Sequence, residues 1–156
     1  MNPHHSTHTV ISSPLGMIQI THQQGKLTQL TVLPEETPIK PTEDKESQSL
    51  LAELSAYFNN PKHIFTIPYS LSGTPFQQRV WQALQKIPSG QTMSYGALAK
   101  QLNTSPRAIG QACRTNPIPI VIPCHRVVAK TGMGGFAGQR EGRMLQVKEW
   151  LLNHEM

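Results

Sequence analysis

The sequence predicts an α+β protein with two small domains, and three observations lead to this prediction. Residues 7–33 alternate between apolar and polar side chains around turn residues, a pattern typical of a small antiparallel sheet. Residues 73–156 instead place apolar side chains at helical spacing in several short segments. A length of 156 residues suits one domain or two small ones. We therefore expect an N-terminal domain over residues 1–72 and a mainly helical domain after it.

In the N-terminal domain, the predicted sheet turns at residues 13–16 (Ser-Pro-Leu-Gly) and again at residues 24–25 (Gln-Gly). Residues 34–47 are rich in Pro, Glu, Lys and Thr and should form an exposed loop. Leucines at helical spacing predict a helix over residues 49–58. A short strand is expected at residues 64–67.

The C-terminal domain should contain four helices. Thr74 begins a capping box with proline at the first helical position. Ser94 caps a short second helix, and Pro106 opens a third after a tight turn. The last helix should cover residues 143–154. The second and third helices are arranged as a helix-turn-helix, which can offer its second helix to a groove of DNA.

Charge is divided unevenly along the chain. There are 14 Lys and Arg against 9 Asp and Glu, a net charge of +5. Residues 73–156 hold ten Lys and Arg against three Glu, a balance of +7, whereas residues 1–72 hold four against six, a balance of −2. No acidic residue lies between Glu53 and Glu141. A basic half predicts a face that meets a polyanion, and a generally basic surface is the alternative.

The third C-terminal helix, residues 106–114, has two different faces. Its polar stripe consists of Arg107, Gly110, Gln111 and Arg114. Its apolar stripe, which should pack inward, consists of Ile109, Ala112 and Cys113. Gly110 lowers helix propensity by about 1 kcal/mol relative to alanine, which suggests close approach by a large partner. In an acid-free region we interpret the polar stripe as a DNA-binding face rather than an ordinary solvated one.

The strongest chemical signal surrounds one cysteine. An apolar, β-branched run over residues 118–122 predicts a buried strand that ends at Pro123. Cys124 follows with His125 and Arg126 beside it, and such a cationic neighbourhood lowers a thiol pKa below its free value of about 8.5. Neighbours in an extended chain point to opposite faces, so His125 would act as a base through a bridging water. A small core cysteine is the alternative.

Two more features belong to the predicted site. Glu155 follows Leu151 by four residues, so it falls on the buried face of the last helix, where a carboxylate needs a partner. His125 is the natural candidate. The glycine-rich residues 129–139 lack the Lys-Ser/Thr pair of a phosphate-binding loop, so we expect a flexible wall of the pocket and no bound nucleotide.

Residues 123–128, Pro-Cys-His-Arg-Val-Val, resemble the active-site signature of the methylated-DNA–protein-cysteine methyltransferases, the O6-alkylguanine-DNA alkyltransferases. Two further family elements are Arg-Thr-Asn-Pro at residues 114–117 and Val-Lys-Glu-Trp-Leu-Leu-Asn-His-Glu at residues 147–155. The resemblance covers residues 73–156 strongly, and in the first half it rests on residues 13–16. It implies a ribonuclease-H-like N-terminal domain and a winged-helix-like DNA-binding domain that carries the acceptor cysteine.

The resemblance also implies a reaction, a single-turnover (suicide) DNA repair. The protein would bind double-stranded DNA from the minor groove, flip out an O6-alkylguanine, and transfer the alkyl group irreversibly to Cys124. O4-alkylthymine would be a second substrate. His125 would be the base, oriented by Glu155, and Asn116 would brace the segment before the cysteine. Tyr95 would push the flanking phosphate and donate a proton to the leaving guanine.

Further roles that the resemblance implies concern DNA and the base pocket. Arg107 would fill the gap that the flipped base leaves. The other residues at the DNA would be Gly110, Gln111, Arg114, Tyr95 and Arg126. The base pocket would be formed by Val127, Phe136, Ala137 and Lys148. The backbone carbonyls of Cys124 and Val127 would read the guanine amino group.

The chain departs from the family pattern in the glycine-rich loop. Family members commonly have Tyr-Ser or Tyr-Ala where Phe136 and Ala137 stand, so a side-chain contact to O6 would be replaced by backbone N–H groups. The chain is also a few residues longer between Gly138 and Lys148, which would alter the pocket width or the range of lesions.

Several function classes are excluded on composition. No apolar run approaches the ~20 residues that span a bilayer, and the N-terminus lacks the features of a secretory signal. Cys113 and Cys124 are too few for a disulfide framework, so we expect an intracellular, cytoplasmic protein. We expect no cofactor, no membrane and no obligate protein partner. No metal is expected either, since no cysteine precedes Cys113 and the histidines at positions 4, 5 and 8 should belong to a disordered tail.

Three alternatives to an alkyltransferase remain. A non-catalytic module of the same fold that only binds alkylated DNA is opposed by Cys124, because such relatives have replaced the acceptor cysteine. A plain helix-turn-helix regulator leaves residues 124–126 and Glu155 unexplained. A cysteine hydrolase would need an oxyanion device and a distant histidine in a suitable block, and the sequence contains neither.

Overall fold

The structure is a computed structural model that describes residues 6–42, 44–130, 134 and 142–156. The chain folds into two compact units, Met1–Ser72 and Gly73–Met156. An antiparallel sheet in the first unit and four helices among the described residues of the second confirm the α+β class. In the part of the chain that the structure describes, no helix combines the length and the apolar character needed to cross a membrane.

The sheet of the first unit has three antiparallel strands in chain order. They are β1 (Thr7–Ser13), β2 (Gly16–Gln23) and β3 (Lys26–Val32). The turn from β2 to β3 contains Gly25, whose φ of +82° is a left-handed conformation that glycine adopts without steric cost. One face of the sheet is buried through Ile18, Ile20 and Leu27. The sheet predicted over residues 7–33 is therefore confirmed.

Helix α1 (Lys45–Asn59) lies in the same unit and begins four residues before the predicted helix. Asp44 caps it by accepting a hydrogen bond from the backbone N–H of Ser47 at 2.8 Å. The Pro- and Glu-rich composition before residue 49 concealed this start. The strand predicted at residues 64–67 is wrong: these four described residues have no strand pairing, and the nearest bridge joins Tyr69 to Leu27.

All four helices predicted for the second unit are present. They are α2 (Pro75–Leu84), α3 (Tyr95–Gln101), α4 (Pro106–Arg114) and α5 (Arg143–Glu155). The side chains of Thr74, Ser94 and Ser105 cap the first three as N-cap residues. Two short strands, β4 (Met93–Ser94) and β5 (Val127–Val128), pair in parallel and link the start of α3 to the segment after the cysteine.

The buried strand predicted at residues 118–122 is wrong. Ile118 and Ile122 are fully buried, but the N–H of Ile122 donates back to the carbonyl of Ile118 at 3.0 Å, so the segment is a closed turn. Ile120 within it has a φ of +79°, a left-handed conformation that is strained for a β-branched residue. The apolar run therefore predicted the burial of this segment correctly, but it predicted a strand where the chain forms a turn.

Candidate functional site

Cys124 begins a single turn of 3-10 helix, Cys124–Arg126, between the buried turn at residues 118–122 and β5. The residue is 5% exposed, and its N–H donates to the carbonyl of Ile122 at 2.8 Å. Since β5 pairs with β4, and β4 leads directly into α3, the fold fixes the cysteine relative to the first residue of α3, Tyr95.

Asn116 braces the segment before the cysteine. Its side-chain amide donates to the carbonyl of Ile122 at 2.8 Å, and its side-chain oxygen accepts from the N–H of Ile118 at 3.0 Å. These two bonds give the backbone of Ile118 and Ile122 the hydrogen-bond partners that a neighbouring strand would otherwise provide. The strained turn is thereby held closed, and the thiol that follows it has a defined position.

Burial raises the pKa of Cys124 to about 11, although a hydrogen bond from Asn116 and the charge of Lys148 act in the opposite direction. The cationic neighbourhood inferred from the sequence therefore does not yield a resting thiolate. Burial outweighs the cationic groups, and Arg126 does not oppose it, since its charge is directed at a carboxylate rather than at the sulfur. At neutral pH the thiol is protonated, so its use as a nucleophile requires a base.

The structure brings together His125 and Glu155, which are 30 residues apart in the chain. The ring Nε2 lies 2.9 Å from Oε2 of Glu155, and the histidine side chain is fully buried. Burial lowers the pKa of His125; Glu155 opposes that effect, and the charges of Arg126 and Lys148 add to it. A neutral ring that donates from Nε2 has its lone pair on Nδ1. No described residue hydrogen bonds to Nδ1.

Arg126 holds the other side of the same carboxylate. Its Nε donates to Oε1 of Glu155 at 2.9 Å and its second terminal nitrogen donates to Oε2 at 2.8 Å. The remaining terminal nitrogen donates to the carbonyl of Ile87 at 2.6 Å. With three of its five N–H donors engaged inside the unit and its side chain 11% exposed, Arg126 is poorly placed for the DNA contact predicted from the sequence. Sequence reasoning missed this ion pair, although both residues stood in the motifs it had found.

Lys148 is a fully buried lysine on α5. Its Nζ donates to the carbonyl of Val127 at 2.7 Å and lies 5.8 Å from the centre of the Tyr95 ring. Burial lowers the pKa of Lys148 to about 8, with Cys124 and Cys113 opposing, and burial raises the pKa of Tyr95 to about 12. The lysine thus joins α5, β5 and the first residue of α3 beside the cysteine.

Both carbonyls expected to read the guanine amino group already accept one hydrogen bond. Val127 accepts from Lys148, and the carbonyl of Cys124 accepts from the N–H of Val127. Each carbonyl oxygen has a second lone pair, so each can accept one further donor.

Helix α4 divides into the two predicted faces. Ile109, Ala112 and Cys113 are buried, whereas Arg107, Gln111 and Arg114 are exposed. A Cβ added at Gly110 would meet nothing within 4 Å, so the glycine leaves open space on the exposed face. Trp81 on α2 donates from its indole N–H to the carbonyl of Ala112 at 2.9 Å, which anchors the last turn of α4.

Other predicted site residues lie outside the described residues. Phe136 and Ala137 are among them, and most of the additional length between Gly138 and Lys148 is also outside the described residues. Gly134 is described: its φ is +75°, and a Cβ there would come within 2.9 Å of the Tyr95 ring, so backbone packs closely on this tyrosine.

The disordered tail predicted for the N-terminal histidines is wrong for His8. His8 lies in β1, where its Nδ1 is 3.0 Å from the hydroxyl of Thr21, while His4 and His5 lie outside the described residues. Among the described residues, no group of three or more His, Cys, Asp or Glu is placed to hold a metal ion.

Fold and site together define a helix-turn-helix protein with a buried cysteine backed by a histidine–carboxylate pair. Residues 75–156 match the family model described as the DNA-binding domain of 6-O-methylguanine DNA methyltransferase. The chain therefore belongs to the methylated-DNA–protein-cysteine methyltransferase family, and the resemblance read from the sequence is confirmed.

Individual relatives support the assignment. The constitutive methylated-DNA–protein-cysteine methyltransferase of Bacillus subtilis is 36% identical over an alignment that covers 95% of this chain and 94% of that one. The Shigella flexneri methyltransferase is 50% identical over 107 residues, but the match spans 66% of this chain and 60% of that relative. The crystal structure of Mycobacterium tuberculosis O6-methylguanine methyltransferase superposes with a TM-score of 0.81 at 34% identity, covering 97% and 93% of the two chains.

Proposed function

We propose that the protein repairs DNA by moving the alkyl group of O6-alkylguanine irreversibly to Sγ of Cys124. The observation that carries the proposal is the buried cysteine with His125 and Glu155 paired beside it. The curated relatives are named methylated-DNA–protein-cysteine methyltransferases, which states the same donor and the same type of acceptor. Because the cysteine sulfur is itself the acceptor, the reaction needs no cofactor.

The proton path follows from the ring nitrogens. The thiol proton passes through a water to Nδ1 of His125, and Glu155 stabilises the imidazolium that forms. Sγ attacks the alkyl carbon, the S–C bond forms, and the C–O6 bond breaks with its electron pair going to guanine. The hydroxyl of Tyr95 gives guanine a proton beside the charge of Lys148, and the proton held by His125 returns to Tyr95 through solvent.

The product is a thioether, which water does not hydrolyse under these conditions, so one protein molecule repairs one lesion. The same pocket chemistry extends to O4-alkylthymine, since it also carries an alkyl group on an exocyclic oxygen. A protein with this substrate works where DNA is, which fits the intracellular location expected from the sequence.

DNA is the proposed partner, bound through the exposed stripe of α4. Arg107 and Arg114 point away from the apolar core of the helix, and Gly110 leaves room for close approach. A Mycobacterium tuberculosis relative of 35% identity, TM-score 0.77, has been crystallised in complex with DNA. We assign entry from the minor groove and base flipping to this stripe, with Arg107 in the vacated stack and Tyr95 against the flanking phosphate.

The test uses the two cysteines as a matched pair. Wild-type protein is mixed with a duplex that contains one O6-methylguanine, and the peptides are weighed by mass spectrometry. One methyl group per protein on Cys124 is expected, retained in Cys113→Ala and abolished in Cys124→Ala, which should still bind DNA. Binding of alkylated DNA with no methyl transfer would favour the non-catalytic module, and repeated turnover would contradict an irreversible acceptor.

A further inference from the structure

We propose that Arg126 is a positioning residue that neutralises Glu155 and thereby keeps His125 in the neutral form that can accept the thiol proton. The inference rests on the proposed function, since it assigns a part in the same proton path. It replaces the DNA contact that the sequence had suggested for this arginine.

The first support is the geometry of the ion pair. Nε and a terminal nitrogen of Arg126 reach the two oxygens of Glu155 at 2.9 and 2.8 Å, the bidentate arrangement in which arginine and carboxylate bind most strongly. The third donor fastens the guanidinium to the carbonyl of Ile87 at 2.6 Å. The Glu155 side chain is 2% exposed, so this contact is shielded from solvent.

The second support is the balance of charge around the imidazole. A buried carboxylate 2.9 Å from a ring nitrogen would by itself favour the imidazolium. The charged groups that act on His125 are Glu155 and Lys148 from α5 and Arg126 from its own turn. Burial is the largest effect that lowers the pKa of His125, and the charges of Arg126 and Lys148 add to it against the opposing effect of Glu155. If Arg126 is removed, the attraction of Glu155 for a protonated ring is no longer offset at close range.

A purely structural role makes a different prediction. The loop that contains Ile87 also packs on the end of α5, because a Cβ at Gly90 would come within 3.0 Å of the Glu155 carbonyl. Arg126 could therefore serve only to tie this loop to α5. In that case its loss would slow transfer equally at every pH, whereas the loss of its charge acts through the protonation state of His125.

The experiment measures single-turnover transfer of the benzyl group from free O6-benzylguanine to Cys124 across a pH series, which avoids any effect on DNA binding. Arg126→Met removes the charge and should move the acid limb of the rate profile to higher pH. Transfer at neutral pH then falls by about tenfold for each unit that the limb passes above the assay pH, and recovers at alkaline pH. Arg126→Lys keeps the charge and should leave the limb close to that of wild type.

Two further variants sharpen the result. Lys86→Met, a change at an exposed lysine beside the same loop, should keep the wild-type profile. In the double variant Arg126→Met/Glu155→Gln both opposing charges are gone, so the acid limb should return toward lower pH. An unshifted limb in Arg126→Met, with a rate lowered equally at all pH values, would overturn the inference.

A direct measurement covers the case in which Arg126→Met does not fold. The nitrogen NMR shifts of His125 in the wild-type protein should show a neutral ring at pH 7 with its proton on Nε2. A charged ring at that pH would refute the inference whatever the variants do. If the wild type fails to alkylate Cys124 at all, the proposed function fails instead, and the NMR titration still reports on the ion pair.

Discussion

Two buried histidines, one in each unit, use their ring nitrogens differently. In the first unit, Nδ1 of His22 accepts the N–H of Gly25 at 3.1 Å, and Nε2 lies 2.7 Å from the hydroxyl of Ser47 and 3.2 Å from Asp44. In the second, Nε2 of His125 meets Glu155, while Nδ1 has no hydrogen-bond partner among the described residues.

Under the proposed mechanism, this difference separates a structural histidine from one that accepts a proton. His22 has a fixed tautomer and a full set of partners, so it joins the β2–β3 turn to the start of α1 and has no nitrogen left for a substrate or water. His22 lies beside a serine and an aspartate, as the histidine of a catalytic triad does, but Ser47 is fully buried. Ser47 and Asp44 also contact the same ring nitrogen of His22, whereas a proton relay needs one partner on each ring nitrogen. His125 keeps one nitrogen for a proton.

The most direct test of this comparison replaces each histidine by glutamine in a separate variant. His125→Gln should slow transfer to Cys124 by roughly a hundredfold or more, the usual contribution of a positioned base, with little change in DNA binding. His22→Gln should leave the rate unchanged and lower the free energy of unfolding by about 1–3 kcal/mol, through unsatisfied buried partners. Single-turnover assays and denaturant titrations report the two effects. Equal rate losses in both would mean that the open nitrogen has no special part.

The next effect concerns the carboxylate. Glu155→Gln keeps the shape of the side chain but removes a charged hydrogen bond worth about 1.5–3 kcal/mol, so transfer at neutral pH should fall roughly ten- to more than a hundredfold. The loss should shrink as the pH approaches the raised pKa of Cys124, about 11, because the thiol then ionises without help. Thermal melts control for unfolding. A folded variant that matches wild type at neutral pH would reduce Glu155 to a helix-end residue.

The two units also differ in charge, −2 over residues 1–72 against +7 over residues 73–156. If α4 is the DNA face, the logarithm of affinity should fall linearly with the logarithm of salt, by about 0.9 for each neutralised phosphate. Arg114→Ala should flatten that slope. Arg107→Ala should slow repair in duplex DNA more than it weakens binding, and should lose less on free O6-benzylguanine, which needs no flipping. An unchanged slope, or equal losses on both substrates, would contradict these roles.

The parts of the site that the sequence predicted are those that depend on short-range rules. Capping residues located α2 and α3, helical spacing placed Glu155 on the buried face of α5, and the split of α4 followed from its period. These inferences need only the neighbours along the chain.

The parts that the sequence did not predict depend on long-range partners. Residues 118–122 form a turn because Asn116 satisfies their backbone, and β-branched residues in a buried turn have the same composition as a strand. The ion pair of Arg126 was missed for a related reason: an arginine beside a cysteine suggests an effect on the thiol, while its carboxylate partner is 29 residues away. The raised pKa of Cys124 is also a long-range effect, because it results from burial of the thiol in the folded unit.

The smallest predicted effect concerns Asp44, the carboxylate that contacts His22. Asp44 caps α1 through Ser47 and contacts His22 at 3.2 Å. Although burial acts to raise it, hydrogen bonds from Thr42 and Ser47 lower the pKa of Asp44 to about 2. Its contribution to stability is therefore complete above its ordinary pKa of 3.8 and is lost as the pH falls toward 2.

Asp44→Ala should accordingly lower the free energy of unfolding by about 1 kcal/mol at neutral pH, the usual cost of a lost N-cap. Asp44→Asn, which keeps a capping oxygen without the charge, should lose less, and the exposed Glu46→Gln serves as a control in the same helical turn. Denaturant titrations at neutral and acid pH should show the deficit of Asp44→Ala shrinking as the wild-type carboxylate becomes protonated, with alkyl transfer at neutral pH unchanged. A deficit that stays constant into strong acid would mean that the aspartate stabilises α1 without its charge. A fall in transfer rate would mean that the contacts among His22, Ser47 and Asp44 are not purely structural.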